Sequence, residues 1–260
     1  MNKNKLKIAG IQLDIAWEDK NVNFSKISEI IKSLQSQYDL IILPETFATG
    51  FTMKSETFAE KQLEKTETFL LELARKTNSL VGGSWIEHNP EGKPFNTFSI
   101  ASKNREIIFR YHKIHPFSYA GEDKAFTAGS TTSIFEYNGF NICPLVCYDV
   151  RFPELFRKTA GLTDLYMVVA NWPAERIDHW LTLLKARSLE NQAFVLGVNR
   201  VGKAGRHKIL LHNGYSGLFR PTGKSEILNS EKEEVLDTEI TLEELEEIRN
   251  KFHYLKDRKL

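Results

Sequence analysis

Apolar and polar positions follow two different periods along the chain, and their succession predicts strands alternating with helices. Short runs of aliphatic and β-branched residues are typical of buried strands. We place such strands at 6–13, 40–43, 80–86, 96–102, 107–113, 140–147, 165–170, 193–201 and 215–219. Apolar residues three or four positions apart predict helices at 21–37, 55–77, 176–192 and 242–251. This order favours an α/β fold in which helices cover a sheet.

The run 144–153, with the sequence PLVCYDVRFP, carries a lone cysteine from an apolar strand into a polar turn. Asp149 and Arg151 end the strand, and Pro153 can open a helix at its first position. A helix N-terminus and nearby backbone N–H groups favour a thiolate and stabilise a developing oxyanion. Cys147 is therefore a candidate nucleophile. The alternative, a small buried apolar residue, describes most free cysteines, and this run alone favours neither.

Two more apolar runs end in a single charged residue. Glu45 follows the run 40–43 and Pro44, and Lys113 ends the run 107–113. A carboxylate beside a buried strand needs partners that offset its desolvation, and such a group is suited to act as a base. Chemistry in α/β sheets collects at strand ends. We therefore expect both charges near the cysteine, although each also fits an ordinary surface residue.

Three segments containing these residues resemble the signature segments of the carbon–nitrogen hydrolase (nitrilase) superfamily in order and spacing. They are LPETF at 43–47, YHKIH at 111–115 and CYDVRFPE at 147–154. Further segments are similar to the omega-amidase branch, whose members deaminate 2-oxoglutaramate and 2-oxosuccinamate. These are ETFATGFTM at 45–53, ANWPAER at 170–176 with HW at 179–180, and ARSLENQ at 186–192. The resemblance covers nearly the whole chain, from position 7 to about position 252.

The resemblance implies both a fold and an activity. The fold would be a four-layer α-β-β-α sandwich, with 1–260 as one domain that ends in a helix and tail at about 241–260. The family's Glu-Lys-Cys triad falls on Glu45, Lys113 and Cys147, which implies a cysteine-dependent amidase working through a thioester. Lys113 and the Tyr148 backbone N–H would stabilise the oxyanion. Glu122 matches a second family glutamate, with an ordinary solvated loop carboxylate as the alternative.

A 2-oxo acid substrate carries a carboxylate that requires a cation. Arg176 could bind it with a bidentate fork, and Trp172 could form an apolar wall beside Tyr148. The alternatives are a helix-surface arginine and a core tryptophan. We expect Arg151 to pair with an acid inside its own turn. At the level of function, the alternatives are a carbamoyl compound, a nitrile or another amide as substrate, and a non-catalytic scaffold.

One position departs from the family pattern. Many members carry an aspartate where this chain has Arg220. Because Pro221 and Gly223 remain, we expect the local hairpin to be kept. Thr241 and Glu244 have the spacing of a capping box for the last helix.

The composition limits the classes of partner that we expect the protein to bind. With 35 basic and 34 acidic residues and a net charge of +1, we expect neither nucleic acid nor a membrane surface as partner. The basic start runs directly into a strand, unlike a signal peptide, and no apolar stretch approaches the ~20 residues that span a bilayer. Cys143 and Cys147, ~13 Å apart on one strand, are too distant for a disulfide, which favours the cytosol.

Metal, cofactor and assembly expectations follow from the remaining motifs. His112 and His115 have HxxH spacing, but no further ligand cluster accompanies them, so we expect no metal and no cofactor. We expect a homodimer in which helix 176–192 packs across a two-fold axis. Arg187, Glu190 and Asn191 on that helix would form a buried polar network or a subunit contact.

Overall fold

A computed structural model describes residues 4–205, 209–229 and 231–259, which form two six-stranded sheets and a two-stranded ribbon. The strands are β1 (Lys5–Gln12), β2 (Leu40–Ile42), β3 (Leu80–Glu87), β4 (Phe95–Ala101), β5 (Ile107–His112), β6 (Phe135–Tyr137), β7 (Phe140–Val146), β8 (Leu165–Ala170), β9 (Phe194–Asn199), β10 (Val201–Ala204), β11 (Leu210–Asn213), β12 (Gly217–Phe219), β13 (Ser225–Ile227) and β14 (Glu234–Thr241). The helices are α1 (Lys20–Ser33), α2 (Ser55–Phe58), α3 (Lys65–Thr77), α4 (Glu122–Ala125), α5 (Pro153–Thr159), α6 (Ile177–Asn191) and α7 (Leu242–Lys251).

The two sheets have matching strand orders. The first runs β14-β1-β2-β3-β4-β5 and the second β13-β12-β9-β8-β7-β6. In each sheet three neighbouring strands are parallel, β1-β2-β3 and β7-β8-β9, and the flanking pairs are antiparallel. Strand β5 consequently points the same way as β2 and β3. The C-terminal ends of β2 and β5 therefore lie at the same end of the first sheet, as measured along the strands.

Apolar side chains hold the layers together. Ile8 and Phe98 of the first sheet share one buried cluster with Leu145 and Val168 of the second. On the outer face of the first sheet, α1 and α3 bury Ile27, Leu70 and Leu73 against β1 and β2. On the outer face of the second, α6 lies so close to β9 that a Cβ at Gly197 would be 2.5 Å from Leu184 Cδ1. The fold is thus the predicted four-layer α-β-β-α sandwich.

The predicted helix 55–77 is wrong in its middle, because the structure divides it into α2 and α3. Glu60 leaves the helix to pair with the edge of β3, accepting from His88 N at 2.7 Å while its own N–H donates to Ile86 O at 3.1 Å. Leu63 adopts a left-handed backbone with φ 61°, and its N–H donates to the Glu67 carboxylate at 2.8 Å. Tertiary partners here replace the helical hydrogen bonds.

Strands β6, β11, β13 and β14 were absent from the sequence prediction. The predicted strand 193–201 is divided, since β9 ends at Asn199 and β10 begins at Val201. The longest omission is β14, which pairs with β1 along its whole length. Its inward positions, Leu236, Thr238 and Ile240, are buried while Asp237 is exposed. The alternation is present, but the many acidic residues conceal it. The predicted helix 21–37 also ends earlier, at Ser33.

The hairpin at the departing position is kept, as expected. Gly223 N donates to Arg220 O at 2.9 Å between β12 and β13. The Arg220 guanidinium donates to Glu226 Oε1 at 3.0 Å and also contacts the Glu244 carboxylate. Two acids therefore balance the arginine that stands in place of an aspartate. Glu244 N in turn donates to Thr241 Oγ1 at 3.2 Å, so Thr241 caps α7. The Glu244 carboxylate, predicted to complete the capping box, contacts Arg220 instead.

In the part of the chain that the structure describes, no helix is both long enough and apolar enough to span a bilayer.

Candidate active site

Three charged or reactive side chains meet where strands of both sheets end. Glu45 lies just after β2, Lys113 directly after β5 and Cys147 directly after β7. Lys113 Nζ donates to Glu45 Oε1 at 3.0 Å, and both side chains are 1% exposed. The Cys147 thiol lies close enough for both groups to shift its pKa. The three residues therefore lie close together at the ends of their strands, as the sequence predicts.

Glu122 completes this group from the N-terminus of α4. Lys113 Nζ donates to both of its carboxylate oxygens, at 2.9 and 2.8 Å. Phe117 N donates to Glu122 Oε2 at 2.5 Å. Glu122 is completely buried, so the alternative of a solvated loop carboxylate is wrong. Glu45, Lys113 and Glu122 together form what we call the buried charge cluster.

The electrostatics of the buried charge cluster keep the lysine charged. Burial alone would lower the pKa of Lys113, but Glu122 and Glu45 outweigh it and raise that pKa above its usual value. Burial raises the pKa of Glu122; Lys113 opposes this shift, while Glu45 adds to it. Lys113 is consequently a fixed ammonium ion between two carboxyl groups.

The resting state of the cysteine differs from our expectation. Burial raises the pKa of the Cys147 thiol well above its usual value, and the Glu45 carboxylate raises it further, while Lys113 only partly opposes them. The thiol is therefore protonated at neutral pH, and the prediction of a favoured thiolate is wrong. The reason is that the sequence indicates which residues lie near the thiol but not that burial and the two carboxylates outweigh Lys113.

A strained turn presents the cysteine. Cys147 has a left-handed backbone with φ 48°, which is costly for a residue with a side chain. Asp149 holds the turn by accepting from Val146 N at 3.0 Å and from the Tyr111 hydroxyl at 2.8 Å. The same carboxylate accepts from His115 N at 3.0 Å. Asp149 therefore ties the segment on both sides of Lys113 to the turn that carries Cys147.

The two histidines of the HxxH motif have separate partners. His115 Nδ1 lies 2.9 Å from Asp149 Oδ1, whereas His112 Nε2 lies 3.1 Å from Glu87 Oε2. Within residues 4–205, 209–229 and 231–259, no three metal-binding side chains cluster.

Two asparagines of the site were missed by sequence reasoning. Asn171 follows β8, and its backbone N–H donates to Glu45 Oε2 at 2.8 Å. Asn96 Nδ2 donates to Glu45 Oε1 at 2.9 Å and to Glu122 Oε1 at 3.3 Å. The strand-end rule, applied to amides as well as charges, would have found Asn171. Asn96 lies near the start of β4 and carries no comparable signal.

A cavity of about 560 Å³ opens at Cys147. Its walls are largely apolar, with several aromatic rings, and include two arginines. Among the lining residues are Phe51, Phe117, Tyr148, Arg151, Trp172, Arg176 and His212. Tyr148 and Trp172, both predicted to bind substrate, therefore border the same space as the thiol. Such a cavity suits a small ligand with a few polar groups.

Both cavity arginines are free of carboxylate partners within the described ranges. The Arg176 guanidinium lies 5.5 Å from the Phe117 ring centre, and it lines the cavity instead of the helix surface. The Arg151 guanidinium lies 4.8 Å from the Trp172 ring centre, and its Nη2 is 3.1 Å from His179 Nδ1. The prediction of an ion pair within its turn is wrong, because the acid of that turn points inward.

The polar residues near the end of α6 form the predicted network. Arg187 Nη1 donates to Glu190 Oε1 at 2.7 Å, and Arg187 Nε donates to Val150 O at 3.1 Å. Asn191 Nδ2 donates to Arg187 O at 2.9 Å. This network links α6 to the turn that carries Cys147.

Comparison with known proteins agrees with this geometry. Residues 7–250 match the family model of carbon–nitrogen hydrolases. Omega-amidase YafV of Yersinia enterocolitica is 38% identical over 250 residues, covering 95% of this chain and 94% of that protein. The 2-oxoglutaramate amidase of Bacillus subtilis is 32% identical, with 94% of each protein covered. XC1258 of Xanthomonas campestris, solved with an arsenic adduct in its active site, superposes with a TM-score of 0.93 at 32% identity and 98% coverage of both chains. The chain therefore belongs to the carbon–nitrogen hydrolase family, and it is a hydrolase of carbon–nitrogen bonds with the nitrilase-type fold.

Proposed function

We propose that the protein hydrolyses the terminal amide of small 2-oxo acids, 2-oxoglutaramate and 2-oxosuccinamate, to the dicarboxylate and ammonia. The observation that carries this proposal is the pairing of one thiol with a buried charge cluster, beside a cavity whose two guanidinium groups have no carboxylate partner among the described residues. Relatives named omega-amidase and 2-oxoglutaramate amidase support the same substrate class.

The first chemical step forms a thioester. Glu45 removes the proton from the Cys147 thiol as the sulfur attacks the amide carbonyl carbon. Because the pKa of the thiol is raised, proton removal accompanies attack instead of preceding it. The carbonyl oxygen becomes an oxyanion, which the Lys113 ammonium and the Tyr148 backbone N–H stabilise. Glu45 then returns its proton to the amide nitrogen, the carbon–nitrogen bond breaks and ammonia leaves.

The second step returns the enzyme to its resting state. Glu45 takes a proton from water, whose oxygen attacks the thioester carbonyl carbon. The carbon–sulfur bond breaks, and the proton on Glu45 returns to the departing sulfur of Cys147. Throughout both steps Glu122, with its two contacts to the lysine, keeps the ammonium of Lys113 in place.

The substrate carboxylate requires a cation within reach of the thiol. Arg176 is our first choice, because its guanidinium borders the cavity and a planar fork suits a carboxylate. Phe117 supports the guanidinium from one side. Trp172, only 3% exposed, forms the wall along which the carbon chain would lie. Arg151 is the second candidate cation.

We also propose that the chain acts as one domain in the cytosol and forms a homodimer through α6. The continuous apolar cluster between the two sheets supports a single folding unit. Both cysteines are free, which suits a reducing compartment. Helix α6 carries exposed Leu189, 39% accessible, on its outward face.

The decisive experiment measures ammonia release from 2-oxoglutaramate, glutamine, asparagine and N-carbamoyl amino acids. We expect kcat/KM for 2-oxoglutaramate to exceed the others by roughly tenfold or more, because only it presents both the carboxylate and the oxo group of the proposed substrate. Cys147→Ala serves as the inactive control. Preference for an N-carbamoyl compound or for another amide would change the proposed substrate class while keeping the thiol chemistry. Absence of turnover on every compound would contradict the proposed activity.

A further inference from the structure

Asn96 touches both carboxylates of the buried charge cluster. It is the second residue of β4 and is 1% exposed. Its Nδ2 donates to Glu45 Oε1 at 2.9 Å and to Glu122 Oε1 at 3.3 Å, and its backbone oxygen accepts from Lys113 N at 2.9 Å. We propose that Asn96 is a positioning residue that holds the Glu45 carboxylate in the orientation in which it acts as the base for the Cys147 thiol. The inference rests on the proposed function only for the role of Glu45.

The charge balance of the cluster explains why such a group is needed. Two carboxylates and one ammonium leave one net negative charge when both acids are ionised. Glu45, Lys113 and Glu122 are each at most 1% exposed, so water cannot stabilise that charge, and hydrogen-bond donors must do so instead. Of the two carboxylates, Asn171 donates to that of Glu45, and Phe117 N donates to that of Glu122. Besides Lys113, Asn96 donates to both.

The orientation of the Asn96 amide follows from these contacts. A rotated amide would turn its oxygen toward two carboxylate oxygens, which repel it. In the part of the chain that the structure describes, Asn96 Oδ1 has no hydrogen-bond partner. The side chain therefore acts through its two N–H groups. An aspartate of the same shape would instead bring a third carboxyl group to Glu45 and Glu122.

Substitutions of Asn96 should therefore change how the reactivity of Cys147 depends on pH. Hydrogen bonds to a carboxylate favour its ionised form, so their removal lets the cluster bind a proton at higher pH. The buried charge cluster would then supply a base for the Cys147 thiol only at higher pH. The charged and titratable groups facing it are Lys113 from the end of β5, Glu122 from α4 and Cys147 from the end of β7.

The test follows alkylation of Cys147 by iodoacetamide as a function of pH, read by mass spectrometry of the peptide that contains it. We expect the acid limb to move upward by about one pH unit in Asn96→Ala, and further in Asn96→Asp. Asn191→Ala is the matched control. Asn191 is also completely buried and donates through Nδ2, but only to Arg187 and Glu190, so its acid limb should stay at the wild-type pH.

The possible outcomes distinguish a positioning role of Asn96 from a general effect of the substitution on the stability of the protein. An unmoved limb in folded Asn96→Ala overturns the inference, as does an equal shift in Asn191→Ala. A smaller effect of Asn96→Asp than of Asn96→Ala would show that shape matters and donors do not, which also overturns it. If Asn96→Asp fails to fold, Asn96→Ser takes its place beside Asn96→Ala. Alkylation needs no amide substrate, so failure of wild-type turnover on 2-oxoglutaramate would refute the substrate proposal alone.

Discussion

Replacing Arg176 with alanine tests whether the cavity recognises a substrate carboxylate. The guanidinium is half-buried and has no carboxylate partner within the described residues, so its donors are available to a ligand. Two charge-assisted hydrogen bonds, at about 1.5–3 kcal/mol each, set the upper limit of the loss. Arg151 remains in the cavity and compensates in part. We therefore expect a loss of about 1.4–4 kcal/mol, or one to three powers of ten in kcat/KM.

The assay compares 2-oxoglutaramate with a neutral amide that lacks the carboxylate. For the Arg176→Ala variant, KM for the oxo acid should rise strongly, and kcat/KM for the neutral amide should change far less. Arg75→Ala removes the same charge from an exposed site on α3 and should leave both values unchanged. Equal losses on the two substrates would show that Arg176 is structural. The carboxylate would then belong to Arg151 or His179.

Four further outcomes are expected. Cys147→Ala should fold but lose all turnover, and normal activity in the variant would end the proposed mechanism. Iodoacetamide should modify Cys147, which borders the cavity, ahead of Cys143, which is completely buried. Activity should survive EDTA and dialysis, whereas a loss restored by zinc would contradict this. Light scattering should give about 60 kDa, twice the 29.9 kDa chain; a fully active monomer at micromolar concentration would refute the dimer. Burial, with Arg200 adding to it, lowers the pKa of His212 from 6.5 to about 3. The unfolded chain therefore binds that proton more readily, and the free energy of unfolding should fall by about 2 kcal/mol at pH 5 relative to neutral pH. His212→Leu should flatten this part of the curve in denaturant titrations.

The sequence predicted those strands and helices whose local pattern of apolar and polar residues matches their burial in the folded chain. The apolar run before Cys147 and Pro153 after it predicted β7 and the start of α5, because both signals are local. Strand β14 was missed, since its outward positions are acidic and its partner β1 lies at the other end of the sequence. Residues 59–64 were predicted to be helical because nothing in the sequence shows the bond from Glu60 to the edge of β3.

The site was predictable as a set of positions but not as an electrostatic state. Strand ends and family resemblance pointed to Glu45, Lys113 and Cys147. The raised pKa of the thiol depends on burial and on the distance to two carboxylates, which only the folded chain defines. The lack of a carboxylate partner for Arg151 among the described residues has the same origin, because Asp149 is close to it in sequence but accepts from Tyr111 and Val146 in the folded chain.

The pairing of β1 with β14 has a consequence for how the protein is made. Lys5 pairs with Thr241 and Gln12 with Glu234, which are 236 and 222 positions apart. During synthesis, one edge of β1 therefore stays without its strand partner until nearly all of these positions have left the ribosome. An unpaired edge beside apolar residues is prone to associate with other chains. Contacts so distant in sequence also slow folding. The first sheet is thus completed only after translation has passed β14, and a nascent chain stalled before that point is the form most exposed to aggregation.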